Sequence, residues 1–178
     1  MNRTATTDFL SELLIYRRLS KPGTYWAKEV CFDYGTTDVR RLDFLHFEPE
    51  NTMSVAGLEH GKFTGYEIKS CKADFESGFG RNMEGDENYF VTTAEAWNSV
   101  KSDIFPEKYG IGMGVMVAVP AIYHPNSREV TEWILHPDKE PYENLDYWRL
   151  HKVYVSRPLQ RKRSITELLF CMMRARCR

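Results

Sequence analysis

The sequence predicts an α/β (α+β) domain in which a central sheet is flanked by helices, and three observations carry that prediction. Segments that favour extended structure recur along the chain at Tyr25–Phe32, Arg40–Phe47, Gly65–Ser70, Asn88–Thr93, Gly112–Pro120 and Tyr147–Val155. Apolar residues at helical spacing lie before the first of these and after the last. No repeat and no linker-like stretch divides the 178 residues, so 1–178 reads as a single domain.

Composition narrows the class. Hydrophobic residues at 42% and charged residues at 28% suit a packed globular chain that needs neither disulfides nor metal staples to bury a core. No apolar run approaches a membrane span and the first seven residues lack the apolar core of a signal peptide, so the expected location is the cytoplasm with no membrane partner. Cys31, Cys71, Cys171 and Cys177 form no Cys-x-x-Cys pair, and free, mostly buried thiols are expected. The five histidines show no zinc spacing. A net charge of −1 argues against wholesale coating of nucleic acid, but the tail from Arg157 carries Arg161, Lys162, Arg163, Arg174, Arg176 and Arg178 against Glu167 alone. That basic end either contacts phosphates or is a solvated terminal helix.

Each element has its own signal. Thr6, Thr7 and Asp8 offer N-cap oxygens for a first helix whose Phe9, Leu10, Leu13 and Leu14 form one stripe, ending before the breakers Lys21-Pro22-Gly23. Glu12 lies at the edge of that stripe, leaning toward a site or facing water. The strand Tyr25–Phe32 turns through Asp33–Thr37 into Arg40–Phe47, where alternation sets Leu42 and Phe44 on one side and Asp43 on the other. Residues from Glu48 to Thr64 are polar and glycine-containing, a long hairpin loop before the strand Gly65–Ser70, which should run antiparallel to its predecessor. A short turn or helix capped near Asp74 follows, then a loop from Phe79 to Glu87, the strand Asn88–Thr93 and a helix over Thr93–Val100 that ends by Pro106. The unbroken apolar run Gly112–Pro120 reads as a buried strand. Residues Ala121 to Asn144, with Pro125, Pro137 and Pro141, form an irregular insertion with a short strand or turn near Val130–Ile134; it either confers specificity or mediates a homodimer. Ser164 caps a basic C-terminal helix with Ile165, Leu168, Leu169, Met172 and Met173 on its core stripe.

The stretch that stands out chemically is Tyr66-Glu67-Ile68-Lys69-Ser70. In an extended strand Tyr66, Ile68 and Ser70 point one way and Glu67 and Lys69 the other. If this strand pairs with the one carrying Asp43, an aspartate, a glutamate and a lysine converge. Two carboxylates with a lysine beside them can bind a divalent cation and activate water against a phosphodiester. The plainer reading is an ion-pair network on a sheet face, worth little in stability.

The order of these elements, with Glu29-Val30, Arg41-Leu42-Asp43, Tyr66-Glu67-Ile68-Lys69-Ser70, Ala73-Asp74-Phe75, Asn88-Tyr89-Phe90-Val91 and Gly112-Met113-Gly114-Val115, resembles the PD-(D/E)XK nuclease superfamily over about residues 7 to 119. The nearest resemblance is to MmcB-like DNA-repair nucleases and related proteins of phages and mobile elements. Leu42 stands where the superfamily's name pattern has proline. The resemblance implies a restriction-endonuclease-like core with a central mixed sheet, and a metal-dependent DNA endonuclease or DNA-repair nuclease. Asp43, Glu67 and Lys69 would be catalytic, and Asp43, Glu67 and the backbone carbonyl of Ile68 would hold Mg or Mn. Glu12 and Glu29 are candidates for a supplementary ligand or a partner of Lys69, or are exposed charges. Arg41, Lys72 and Arg81, and also Arg40 and Lys62, could contact DNA phosphates, although surface cations need no such explanation, while Asp74 more naturally caps a turn. The alternative is a non-catalytic nuclease-fold module that binds nucleic acid or a partner protein, since a fold outlives its chemistry.

Overall fold

The computed structural model describes residues 2–102, 105–121 and 144–176. Among these residues six strands form one mixed sheet in chain order: β1 (Tyr25–Phe32), β2 (Arg40–Glu48), β3 (Lys62–Lys69), β4 (Glu87–Thr93), β5 (Gly114–Pro120) and β6 (Trp148–Tyr154). β1, β2 and β3 are an antiparallel meander, β3, β4 and β5 run parallel, and β6 returns antiparallel on β5. The helices are α1 (Arg3–Leu14), α2 (Val55–Glu59), α3 (Lys72–Glu76), α4 (Ala94–Val100), α5 (Phe105–Tyr109) and α6 (Ile165–Arg176). The layout is the expected sheet flanked by helices, consistent with a restriction-endonuclease-like core. Among the described residues no helix is long and apolar enough to cross a membrane.

Helices cover both faces of the sheet. Phe9, Leu10, Leu13 and Leu14 of α1 pack on Phe44, Tyr66, Ile68, Tyr89, Val91 and Met116. On the opposite face Trp97, Phe105 and Tyr109 of α4 and α5 cover Phe90, Val115, Val117 and Val119, while Leu168, Cys171 and Met172 of α6 cover Val30, Phe32, Leu42, Leu45 and Phe63. Every position of β5 is buried because it is covered on both sides, as its unbroken apolar sequence implied. Glu67 and Lys69 lie on the second face, between the cluster under α4 and α5 and the cluster under α6.

Strict alternation fails at one place on both β1 and β2. Trp26 stands 6.1 Å from Phe44, ring to ring, on the α1 face. Val30, Phe32 and Leu42 nevertheless lie under α6 together with Ala27, Leu45 and Phe47. Leu42 and Phe44 are therefore on opposite sides, contrary to the expectation from alternation. The slip occurs at Glu29, which adopts a left-handed φ of 55°, and across from it at Asp43.

Other boundaries differ for local reasons. α1 begins at Arg3 with Asn2 as its cap, whose side chain accepts the Ala5 amide at 2.8 Å. The hydroxyls of Thr6 and Thr7, expected as caps, instead donate back to the carbonyls of Asn2 and Arg3. The helix continues as a π-turn over Ile15–Leu19 before the predicted breakers. The expected loop from Glu48 to Thr64 contains α2, capped by Ser54 on the Gly57 amide at 3.0 Å, and β3 starts at Lys62. The separate helix α5 holds Pro106 in its first turn, where a missing amide hydrogen is tolerated. Ser164 caps α6 through the Glu167 amide as expected, and Leu168 and Met172 are buried, but Met173 is exposed. Cys31 and Cys71 are half-buried and Cys171 is buried. Residues 122–143, which contain Val130–Ile134 and nearly all of the expected insertion, and Cys177 lie outside the described residues.

One guanidinium joins three segments. Arg163 donates to Asp33 after β1 at 2.6 Å, to Glu84 before β4 at 2.7 Å, and to Glu167 in α6. Glu84 is only 1% exposed, with Arg40 at 3.5 Å as a second cation. Arg163→Ala should therefore destabilise the protein by about 3 kcal/mol, because it leaves the buried Glu84 carboxylate with only the more distant Arg40. The urea midpoint measures it, and Arg163→Lys should recover only part of the loss because an ammonium lacks the planar fork. An unchanged midpoint for Arg163→Ala would remove this junction from the account of stability.

Candidate functional site

β2 and β3 pair as far as Phe44 and Tyr66, and the next step of that register would set Asp43 opposite Glu67, but the ladder stops there. β3 continues beside β4 alone, with Glu67, Ile68 and Lys69 against Phe90, Val91 and Thr92. Where the strands part, the Ile68 amide loses its expected carbonyl partner. Asp43 Oδ2 accepts that amide hydrogen at 2.8 Å, so a side-chain carboxylate completes the ladder. The opening is a cleft of about 910 Å³ whose wall includes Asp43, Glu67, Ile68 and Lys69.

The two carboxylates share the cleft wall, near enough for the charge of Asp43 to act on Glu67. Glu67 is 4% exposed and, among the described residues, its Oε1 has no hydrogen-bond partner. Burial first, and then the charge of Asp43, push its carboxyl up to about 8, against the pull of Lys69 and of Asn82. Both effects favour the protonated form of Glu67 over the carboxylate. Lys69 is 5% exposed, and burial lowers its ammonium pKa while the carboxylates of Glu67, Asp43 and Asp74 work the other way. Its Nζ donates to the carbonyls of Phe79 at 2.7 Å and Asp74 at 3.2 Å and lies 5.6 Å from the centre of the Phe90 ring.

Asp74 fixes the turn after β3. Its Oδ2 accepts from the Ser70 amide at 2.9 Å and hydroxyl at 2.6 Å, and its Oδ1 pairs with Arg3 of α1. Burial alone would raise its pKa; the Ser70 bonds and the Arg3 charge outweigh that and hold the carboxyl below its ordinary value. The expected cap near Asp74 is thus a carboxylate in the first turn of α3 reaching back to Ser70. Gly80, at a φ of +66°, closes over the pair from the following loop: a Cβ there would lie 2.4 Å from Glu67 Oε2 and 3.0 Å from Lys69 Nζ. Glycine takes that conformation without strain, and a side chain there would have to displace Glu67.

Of the residues singled out by sequence, Asp43, Glu67, Ile68, Lys69, Glu29, Arg40, Arg41 and Arg81 line this one cleft. Glu29 pairs with Arg41 at 2.9 Å on the exposed rim and does not hold Lys69. Glu12 is exposed and absent from the wall. The face of α1 turned to the cleft carries Arg3, Thr7 and Ser11 at four-residue steps, and the next residue after Ser11 is swung about 100° away. Lys72 is likewise outside the wall, set 3.7 Å from Glu76 along α3, and Lys62 pairs with Glu87 at 2.5 Å. Sequence reasoning missed Phe79, Gly80 and Asn82, the last donating to the Arg41 carbonyl at 2.7 Å. The signal was the pair of glycines Gly78 and Gly80 flanking a phenylalanine in a loop.

An all-oxygen donor set of Asp43, Glu67 and the Ile68 carbonyl suits a hard divalent cation, and the partnerless Glu67 Oε1 and crowded carboxylates fit one. Among the described residues no three His, Cys, Asp or Glu side chains gather to hold a metal, so water would have to supply the remaining ligands.

The raised Glu67 pKa has a measurable consequence. A carboxyl that ionises near 4.5 in the unfolded chain and at about 8 in the folded one binds more protons when folded. Stability without divalent cations should therefore fall as pH rises between those values, and Glu67→Gln should flatten the slope and raise stability at pH 8. Urea midpoints across that range in EDTA test it; identical slopes for the two proteins would mean that Glu67 titrates normally. No family model, curated protein or solved structure matches this chain, so the geometry of the cleft is what bears on its function.

Proposed function

We propose that the protein is a metal-dependent nuclease that hydrolyses phosphodiester bonds in DNA, on the plan of the PD-(D/E)XK nucleases. The observation that carries this reading is the convergence of Asp43 and Glu67 with Lys69 beside them where β2 and β3 part. Asp43, Glu67 and the Ile68 carbonyl would hold Mg or Mn. When bound, such a cation polarises a phosphoryl oxygen and lowers the pKa of its water.

The chain's own residues do the rest. Lys69, oriented by two backbone carbonyls, presents an ammonium that orients the attacking water or stabilises charge developing on the phosphate. Among the described residues six cations line the cleft, Arg3, Lys28, Arg40, Arg41, Lys69 and Arg81, against the four acidic side chains Glu29, Asp43, Glu67 and Asp74. The surplus favours a polyanionic substrate, with the exposed Lys28, Arg40, Arg41 and Arg81 placed to hold its backbone. A DNA substrate would fit a cytoplasmic role in repair or in the service of a mobile element. The seating of Gly80 against Glu67 lends some support to a second reading, a binding module whose loop has closed over a former site.

Incubation with Mg²⁺ or Mn²⁺ against duplex, single-stranded, branched and mismatched DNA separates the two. Asp43→Ala and Glu67→Ala should abolish cleavage, and Lys69→Ala should slow it on the order of 10²–10³-fold. Calorimetry should show Mn²⁺ binding that Glu67→Ala loses. Cleavage that survives all three substitutions would sink the mechanism, and DNA binding with no cleavage by the wild type would establish the binding module.

A further inference from the structure

We infer that Phe79 is a stacking platform for an unpaired base, so that the substrate enters this cleft as a single strand or as a splayed nucleotide; this rests on the nucleic-acid reading above. Among the described residues two aromatic rings line the cleft, and Phe44 is fully buried whereas Phe79 is 80% exposed. Its exposure is imposed by a pinned backbone. Gly78 and Gly80 flank it with φ values of +76° and +66°, a pair of left-handed turns that other residues adopt only with strain. Its amide donates to Ser77 Oγ at 3.3 Å, and its carbonyl accepts from Lys69 Nζ at 2.7 Å. The same residue therefore ties the lysine expected at the scissile phosphate to a large apolar ring held out to solvent.

That coupling defines a ligand chemistry. Cations on the wall suit a phosphate backbone, and an exposed ring beside them suits the π-face of a base, the combination by which single strands are held. In an intact duplex the bases are stacked on one another and offer Phe79 no face. Arg81, whose guanidinium lies 5.8 Å from the Tyr109 ring and donates to the Phe75 carbonyl at 3.3 Å, stiffens the far side of the loop.

Fluorescence anisotropy in EDTA, with a labelled single-stranded oligodeoxynucleotide and its duplex, tests this without requiring cleavage. Phe79→Ala should weaken single-strand binding about five- to a hundred-fold, the range expected for loss of one stacked base. Phe79→Trp should bind at least as well as the wild type. Phe79→Leu, which keeps apolar bulk but removes the ring, should resemble Phe79→Ala, and duplex binding should change less than about two-fold throughout. The inference is overturned if the wild type does not bind the single strand, if Phe79→Ala binds it like the wild type, if Phe79→Leu keeps wild-type affinity, or if single strand and duplex weaken equally. Cleavage assays on the same variants keep the two readings apart: active nuclease with unchanged single-strand binding removes the stacking role alone, and inactive protein with Phe79-dependent binding removes the nuclease alone.

Discussion

The structure turns on the place where β2 and β3 stop pairing. A continuous ladder would fill the space between Asp43 and Glu67 with backbone hydrogen bonds and leave no cleft. Ending it after Phe44 and Tyr66 exposes an unpaired amide at Ile68, and a buried amide without a partner costs free energy. Asp43 resolves that cost by accepting the Ile68 hydrogen bond, which also fixes the carboxylate beside Glu67. The ladder repair and the assembly of the acidic pair are one event. The slip in alternation at Glu29 and Asp43 belongs to it, since it sends Leu42 to the α6 face and frees Asp43 to lie along the opening.

Burial sets the electrostatics of the pair. Glu67 and Lys69 sit on a sheet face whose apolar residues divide into a cluster under α4 and α5 and another under α6. Little water reaches them, so Glu67 prefers its proton and Lys69 needs acceptors. The Phe79 and Asp74 carbonyls meet that need and tie the loop after α3 to the end of β3. Gly80 permits the contact because any side chain there would collide with Glu67. The loop is therefore shaped by the charges it covers, and Asp74 and Arg3 carry the same network to α1.

Arg163 connects this region to the C-terminal helix. Glu84 closes the loop that begins over Lys69, and its bond to Arg163 places that loop, the turn after β1 and α6 on one cation. The basic tail seen in the sequence thus has at least one residue with an internal task, and Arg161 has another in its pair with Asp86 at 2.9 Å. Their charge faces acidic loops of the chain itself, away from the cleft wall that Arg40, Arg41 and Arg81 line while Arg40 and Arg41 also pair with Glu84 and Glu29.

The sequence alone determined the main course of the fold, because hydrophobic periodicity and breaker residues are local signals. The strands from β1 to β6, the helices α1, α4 and α6, the antiparallel meander and the split of Tyr66 and Ile68 from Glu67 and Lys69 were all legible. Small helices were not: α2 and α5 are too short to show a period. The separation of Leu42 from Phe44 was hidden too, since alternation presumes a regular strand. For the site, Asp43, Glu67 and Lys69 stood out as residue types on neighbouring strands. Only the tertiary structure decided that the ladder breaks between them, that α1 turns Arg3, Thr7 and Ser11 rather than Glu12 to the cleft, that Lys72 points along its own helix, and that Phe79 and Gly80 arrive from a loop. Those choices depend on contacts between residues far apart in the chain, and no local pattern encodes which face of a helix or which turn of a loop will meet a strand end.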